Sequence, residues 1–225
     1  MYLLEFFKKS RSTLLFIFFF SIIFVPILYF LVKPKTTLPV YNPVDVNPRL
    51  VDDALKNVSR DHRIGNFDLI NQNGDSISEI NFEDKIYIAD FFFTRCQTIC
   101  PVMAINMSEL QEYYKNDEDM KFLSHSVTPD IDSVSVLRAY ADKNMAIDGK
   151  WEITTGQKKH IYNLARKSYF AVLDEGDGGE QDFIHTEQFI LVDKKKQIRG
   201  FYDGTDATEI DRIIRDIEVL KHEND

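Results

Sequence analysis

Cys96 and Cys100 are the only two cysteines in a chain of 225 residues. They stand four apart in FFFTRCQTICPVM, residues 91–103, and Pro101 follows directly. Three chemistries suit such a pair. A disulfide across so short a loop removes little chain entropy and stabilises weakly. A redox pair uses the thiolate as nucleophile, although the usual spacing is C-x-x-C and this one is C-x-x-x-C. A metal site uses both thiolates as soft ligands and needs at least one further donor. The two residues by themselves leave all three open.

The further donor is His185, in GDGGEQDFIHTEQFILVD, just before an apolar run. The acidic, glycine-rich stretch ahead of it has the composition of a mobile surface loop, so His185 stands where a loop meets a strand. Two thiolates and an imidazole suit Cu(I), also fit Cu(II), and accept Zn(II). A structural zinc site wants four protein ligands, and only three are in view. His62, His125, His160 and His222 have the ordinary reading of solvated or hydrogen-bonded side chains. Met103 and Met107 follow Cys100 by three and seven residues, on one helical face, and read as core packing.

These residues need elements to hold them. KIYIADFFF, residues 85–93, is a continuous apolar run rich in β-branched and aromatic residues, which predicts a strand buried on both faces. Pro101 suits the first turn of a helix that runs to about Tyr114. Cys96 is then expected in the preceding loop and Cys100 at or beside the helix start, where the helix terminus favours thiolate. FDLINQNGDSIS predicts a hairpin about Asn73-Gly74. KFLSHSVT (121–128) predicts a strand, Val134–Lys143 a helix, Asp148-Gly149 a turn, and HIYNLARKSY a short helix. FILVD and QIRGFYDG flank Lys194, Lys195 and Lys196 as a second hairpin. Ile210, Ile213, Ile214, Ile217 and Leu220 recur at helical spacing in a last helix, 207–222. This order implies an α/β sheet covered by helices, with ligands gathering at the carboxyl ends of strands.

Thr13–Val32 carries no charge and, as a helix, spans about 30 Å, the thickness of a bilayer core. Lys8, Lys9 and Arg11 precede it, which favours residues 1–12 in the cytoplasm and a single-pass anchor over 13–32. Pro26 is tolerable in such a helix. The run exceeds a usual signal-peptide core, and no A-x-A-like site follows it. Residues 33–58, with Pro34, Pro39, Pro43 and Pro48, are expected as an extended linker. The folded domain is expected over 59–225, outside the cytoplasm, where disulfides are permitted. The N-terminus lacks an Arg- and Ser-rich transit composition, which points to a bacterial inner membrane. A net charge of −9 argues against nucleic acid as a partner.

FDLINQNGDSIS, IYIADFFFTRCQTICPVM and HTEQFILVDKKKQIRGFYDG together resemble the Sco/SenC family, the thioredoxin-fold copper proteins of cytochrome c oxidase assembly. The resemblance covers roughly Arg63 to the C-terminus, and the anchor is also typical. It implies an α/β thioredoxin-like domain with an N-terminal β-hairpin extension behind a single transmembrane helix. It implies that Cys96, Cys100 and His185 bind a copper ion, Cu(I) or Cu(II). The activity implied is assembly of the dinuclear copper site of cytochrome c oxidase subunit II, by donating copper, by reducing that subunit's cysteines, or both. A thiol-disulfide reductase is a further partner. Asp90 matches the family's strand aspartate and would tune the thiols from a second shell. One departure stands out. The family's S-V-D-P segment is replaced by SHSVTPDID, with Thr128 in place of the aspartate and Asp130 or Asp132 as substitutes. Thioredoxins also carry a cis-proline where this chain has DFIHTEQF, and an imidazole there can close a metal site. The expectation is a membrane-anchored copper chaperone, with thiol-disulfide reductase as the alternative.

Overall fold

The computed structural model describes residues 11–32, 37–51, 56–57, 60–173, 176, 178–179 and 181–224. The chain divides into two units, Met1–Thr37 and Leu38–Asp225. In the first, helix α1 (Arg11–Val32) covers the expected anchor, with Pro26 inside it. Side chains are described over 15–28, where Phe16, Ile23 and Val25 are exposed. Among the described residues no helix is long and apolar enough to cross a membrane. The expected cytoplasmic residues 1–10 lie outside the described residues.

The second unit is built on one seven-stranded mixed sheet. Its strands are β1 (Asp68–Asn71), β2 (Ser76–Ser78), β3 (Ile86–Phe92), β4 (Met120–Ser126), β5 (Trp151–Thr155), β6 (Gln188–Val192) and β7 (Ile198–Asp203). Their order is β2-β1-β5-β4-β3-β6-β7. β3 pairs parallel with β4 and antiparallel with β6, and all seven of its residues are buried. This is the strand buried on both faces that the unbroken apolar run predicts. Helices α2 (Ile99–Tyr113), α3 (Val134–Lys143), α4 (Lys158–Asn163) and α5 (Ala207–Asn224) accompany the sheet, and a π-turn (Leu164–Ser168) continues α4. The architecture is the thioredoxin-like α/β domain with an N-terminal hairpin.

Because side chains alternate along a strand, β3 feeds two cores. Ile86, Ile88 and Phe92 pack with Cys100, Met103, Met107, Phe122, Trp151 and the inner face of α5. Tyr87, Ala89 and Phe91 pack with Leu123, Ile161, Tyr162 and Tyr169 on the other side. Met103 and Met107 are thus core residues, as their spacing predicts.

Two expectations change. WEITT forms β5, an element the sequence reading leaves out. It pairs parallel with β4 and antiparallel with β1, so it joins the N-terminal hairpin to the sheet. The expected linker over 33–58 is folded onto the domain from Leu38. The Arg199 guanidinium donates to the carbonyls of Pro39 at 3.0 Å and Leu38 at 2.7 Å. Tyr41 bridges Ile198, and Val51 is buried. Pro43 and Pro48 open short 3-10 turns instead of extending the chain. Residues 33–36, 52–55 and 58–59 lie outside the described residues.

Candidate metal and thiol site

The carboxyl end of β3 delivers the chain into the cysteine loop. Cys96 N–H donates to the Phe93 carbonyl at 3.2 Å, which closes the turn. α2 then begins at Ile99, so Cys96 lies in the loop, Cys100 in the first helical turn and Pro101 just inside it. At that position proline loses no helical hydrogen bond. Cys100 N–H points at Cys96 Sγ, 3.4 Å away, and Thr98 Oγ1 lies 3.6 Å from the same sulfur. Both cysteines are free thiols.

The two thiols differ in acidity. Burial opposes ionisation of Cys96, but the N–H groups of Cys100 and Thr98 outweigh it and lower the thiol to about 7. Burial pushes Cys100 up to about 12, with the charges of Cys96 and Asp90 adding to the rise. Cys96 is therefore the first thiolate, and Cys100 ionises readily only when a cation arrives.

Asp90 sits in β3 on the cysteine side. Ser124 Oγ–H donates to Asp90 Oδ1, and Trp151 Nε1–H donates to Ser124 Oγ at 2.8 Å. Burial pushes the Asp90 carboxyl up to about 7 against the pull of Ser124. Sequence reasoning missed Tyr140. Its ring stacks on Phe92 at 4.6 Å. Burial raises its hydroxyl pKa, and so do the charges of Asp90, Cys100, Cys96 and Asp132 in turn.

Of the two acids that follow Thr128, Asp132 is the one turned inward. It is fully buried, whereas Asp130 is exposed. Its carboxylate accepts from Thr94 N–H at 3.3 Å and Thr94 Oγ1–H at 2.5 Å. It also accepts from Ser126 Oγ–H at 2.6 Å and Thr128 Oγ1–H at 2.9 Å. The hydroxyl residues flanking it were the available signal. Asp132 fixes the loop two residues before Cys96.

His185 is exposed, between buried Ile184 and Thr186. Its ring centroid lies 6.3 Å from that of Phe93, whose ring also meets that of Phe183 at 5.1 Å. Among the described residues no group of three His, Cys, Asp or Glu is close enough to hold a metal ion. The structure therefore brings Cys96 and Cys100 together and leaves His185 beside Phe93, short of them. The stretch before His185, expected as a mobile loop, is pinned where it is described. Asp182 accepts two hydrogen bonds of 2.7 Å from Arg166 and one of 2.7 Å from Gly178 N–H. Asp174, Glu175, Asp177 and Glu180 lie outside the described residues.

A family model described as SCO1/SenC matches residues 56–222. The SCO1 protein homolog of Bacillus subtilis (strain 168) is 32% identical over 154 residues, covering 68% of this chain and 79% of that protein. The crystal structure of a SCO1/SenC family lipoprotein from Bacillus anthracis is 31% identical, with a TM-score of 0.63, over 71% of this chain and 95% of that one. BsSco is described as a member of the Sco family of cytochrome c oxidase assembly proteins with a disulfide switch. Its structure is 30% identical, with a TM-score of 0.61, over 76% of this chain and 96% of that one.

Proposed function

This chain belongs to the SCO1/SenC family, and on that premise we propose that it is a membrane-anchored copper chaperone for cytochrome c oxidase subunit II. The observation that carries the proposal is the pair of free thiols, with Cys100 N–H aimed at Cys96 Sγ from the first turn of α2. Copper is the cargo. Soft thiolates suit Cu(I).

In this reading Cys96, the more acidic thiol, engages copper first. Cys100 then gives up its proton to the incoming charge. His185 is the third ligand and must move past Phe93 to complete the set, so the site closes on loading and opens for release. Transfer proceeds by ligand exchange with the recipient's own cysteines. Oxidation of Cys96 and Cys100 to a disulfide, with loss of two protons and two electrons to an acceptor disulfide, removes two of the three ligands. A thiol-disulfide reductase partner restores them. The uncharged run Thr13–Val32, preceded by Lys8, Lys9 and Arg11, supports a single-pass anchor over 13–32 in a bacterial inner membrane, with the domain on the outer side.

The asymmetry of the two thiols favours one second reading, a thiol-disulfide reductase acting on the oxidase subunit without stably bound copper. His185→Ala separates the two. The chaperone reading expects the variant to lose copper delivery to a copper-free subunit II domain, measured by the recipient's visible spectrum. It is overturned if delivery is unchanged while reduction of the recipient's disulfide, followed by thiol labelling, proceeds as in the wild type.

A further inference from the structure

The segment that carries His185 alternates in burial. Ile184 and Thr186 are buried and the Asp182 side chain is 8% exposed, whereas Phe183, His185 and Glu187 are exposed. Period-two burial belongs to extended chain, in which alternate side chains share a face. Phe183 and His185 share the outward face, and both rings meet that of Phe93, in the approach to Cys96. The inward residues set this parity. Ile184 joins the core beside Phe91, and Thr186 Oγ1–H donates to the Ala171 carbonyl at 3.1 Å. Asp182 is held through every polar group it has. Its carboxylate accepts from Arg166 Nη1–H and Nη2–H at 2.7 Å each and from Gly178 N–H at 2.7 Å. Its N–H donates to the Gly179 carbonyl at 3.1 Å. Its carbonyl lies 3.2 Å from the Tyr162 hydroxyl, which also lies 3.0 Å from the Val127 carbonyl.

Arg166 comes from the π-turn after α4, where Tyr169 N–H reaches the Leu164 carbonyl five residues back at 2.9 Å. Such turns are rare and often sit at functional sites. The Arg166 side chain is 6% exposed, and its guanidinium lies over the Tyr162 ring at 5.4 Å. Gly176 closes over the pair at φ 111°, and a Cβ there would stand 2.5 Å from Asp182 Oδ2 and 2.6 Å from Arg166 Nη2. A buried ion pair is a poor source of net stability, because desolvation offsets its attraction. What a bidentate pair supplies is fixed geometry. We propose that Arg166 and Asp182 are the positioning pair for His185, an inference that rests on His185 as the third copper ligand. They fix the backbone three residues ahead of it, so that the imidazole stays on the outward face beside Phe93 and reaches the thiols by rotation of its side chain. A ligand held in this way gives up little freedom on binding.

The test titrates the reduced full-length chain anaerobically with Cu(I) against a chromophoric competitor, with and without His185→Ala. Asp182→Asn keeps the shape of the side chain and removes its charge. It is expected to weaken Cu(I) binding about tenfold where His185 is present. In the His185→Ala chain it is expected to change nothing, because the pair acts only through the imidazole. X-ray absorption of the copper-loaded Asp182→Asn chain is expected to keep its sulfur neighbours and lose nitrogen. Because Asp182→Asn leaves Arg166 buried without its anion, Tyr162→Phe is run beside it. That variant keeps the ion pair and removes only the hydroxyl, and a smaller loss with the same dependence on His185 is expected. An equal loss with and without His185, or no loss in either variant, overturns the proposal and leaves the pair a purely structural one. If His185→Ala alone binds copper as tightly as the wild type, the three-ligand reading itself fails, and the positioning role falls with it.

Discussion

At the scale of single residues, the site depends on neighbours that make two chemically identical thiols unlike. Cys96 is held at about 7 by amide N–H groups that overcome burial, while burial raises Cys100 to about 12. The sign follows directly: below pH 7 Cys96 is mostly thiol, and above it mostly thiolate, the reactive form. Alkylation of the reduced, metal-free chain by iodoacetamide is expected to rise through a midpoint near pH 7 and to label Cys96 before Cys100, as mass spectrometry of the peptides would show. Equal labelling of the two would contradict the asymmetry. Asp132 acts one step further out. Its four hydrogen bonds tie Thr94, Ser126 and Thr128 to one carboxylate. Asp132→Ala strands those donors, and a loss of about 2–4 kcal/mol is expected in urea denaturation. Amide exchange should speed up at Thr94–Cys96 and stay slow in α5. The cysteines and their placement about a helix start were legible in the sequence because Pro101 fixes the local register. Asp132 was in view only as one of two substitutes, and Tyr140 was not in view at all, because it meets Phe92 through tertiary packing.

At the scale of elements, periodicity revealed what was long or unbroken. The apolar run of β3, the spacing of α3 and the isoleucine ladder of α5 each sit within about two residues of expectation. β5 escaped because WEITT is short and places Glu152 inside the sheet, where a strand pattern wants an apolar residue. The structure shows why glutamate is tolerated: Asn71 Nδ2–H donates to Glu152 Oε2 at 2.8 Å. Asn71 also accepts from the amides of Asn73 and Asp75 at 2.9 Å each, so one side chain shapes the first turn and partners the buried acid. Asn71→Ala leaves Glu152 without that donor, and a loss of about 2–3 kcal/mol is expected by chemical denaturation. A loss below about 0.5 kcal/mol would show that Glu152 is satisfied in another way. His185 is an element-scale matter as well. Buried Ile184 and Thr186 hold the entry to β6 on either side of it, and Thr186 Oγ1–H donates to the Ala171 carbonyl at 3.1 Å. An approach of its imidazole to the cysteines, as proposed above, therefore falls to rotation of the side chain.

At the scale of the whole domain, Arg199 joins three distant parts of the chain. It pairs with Asp193 at 2.9 Å and Glu223 at 2.5 Å, and donates to the Leu38 and Pro39 carbonyls. This cluster converts the expected tether from Leu38 onward into part of the domain, which proline content alone did not reveal. Arg199→Ala leaves Asp193 buried without its cation, and a loss of about 3–5 kcal/mol is expected, with proteolysis near residue 38 as the readout. An unchanged cleavage pattern would mean that other contacts hold the segment. The family resemblance was legible from three stretches of sequence, and the fold agrees with it. The relation of His185 to the thiols was not, because sequence order gives no distance between β3 and β6. The most direct measurement is anaerobic Cu(I) competition on the reduced full-length chain, with wild type beside Cys96→Ser, Cys100→Ser and His185→Ala. Tight binding in the wild type, weakened at least a hundredfold in each variant, is expected of a chaperone that closes three ligands on its cargo. Weak binding indifferent to His185 would contradict it and leave the two cysteines as a redox pair.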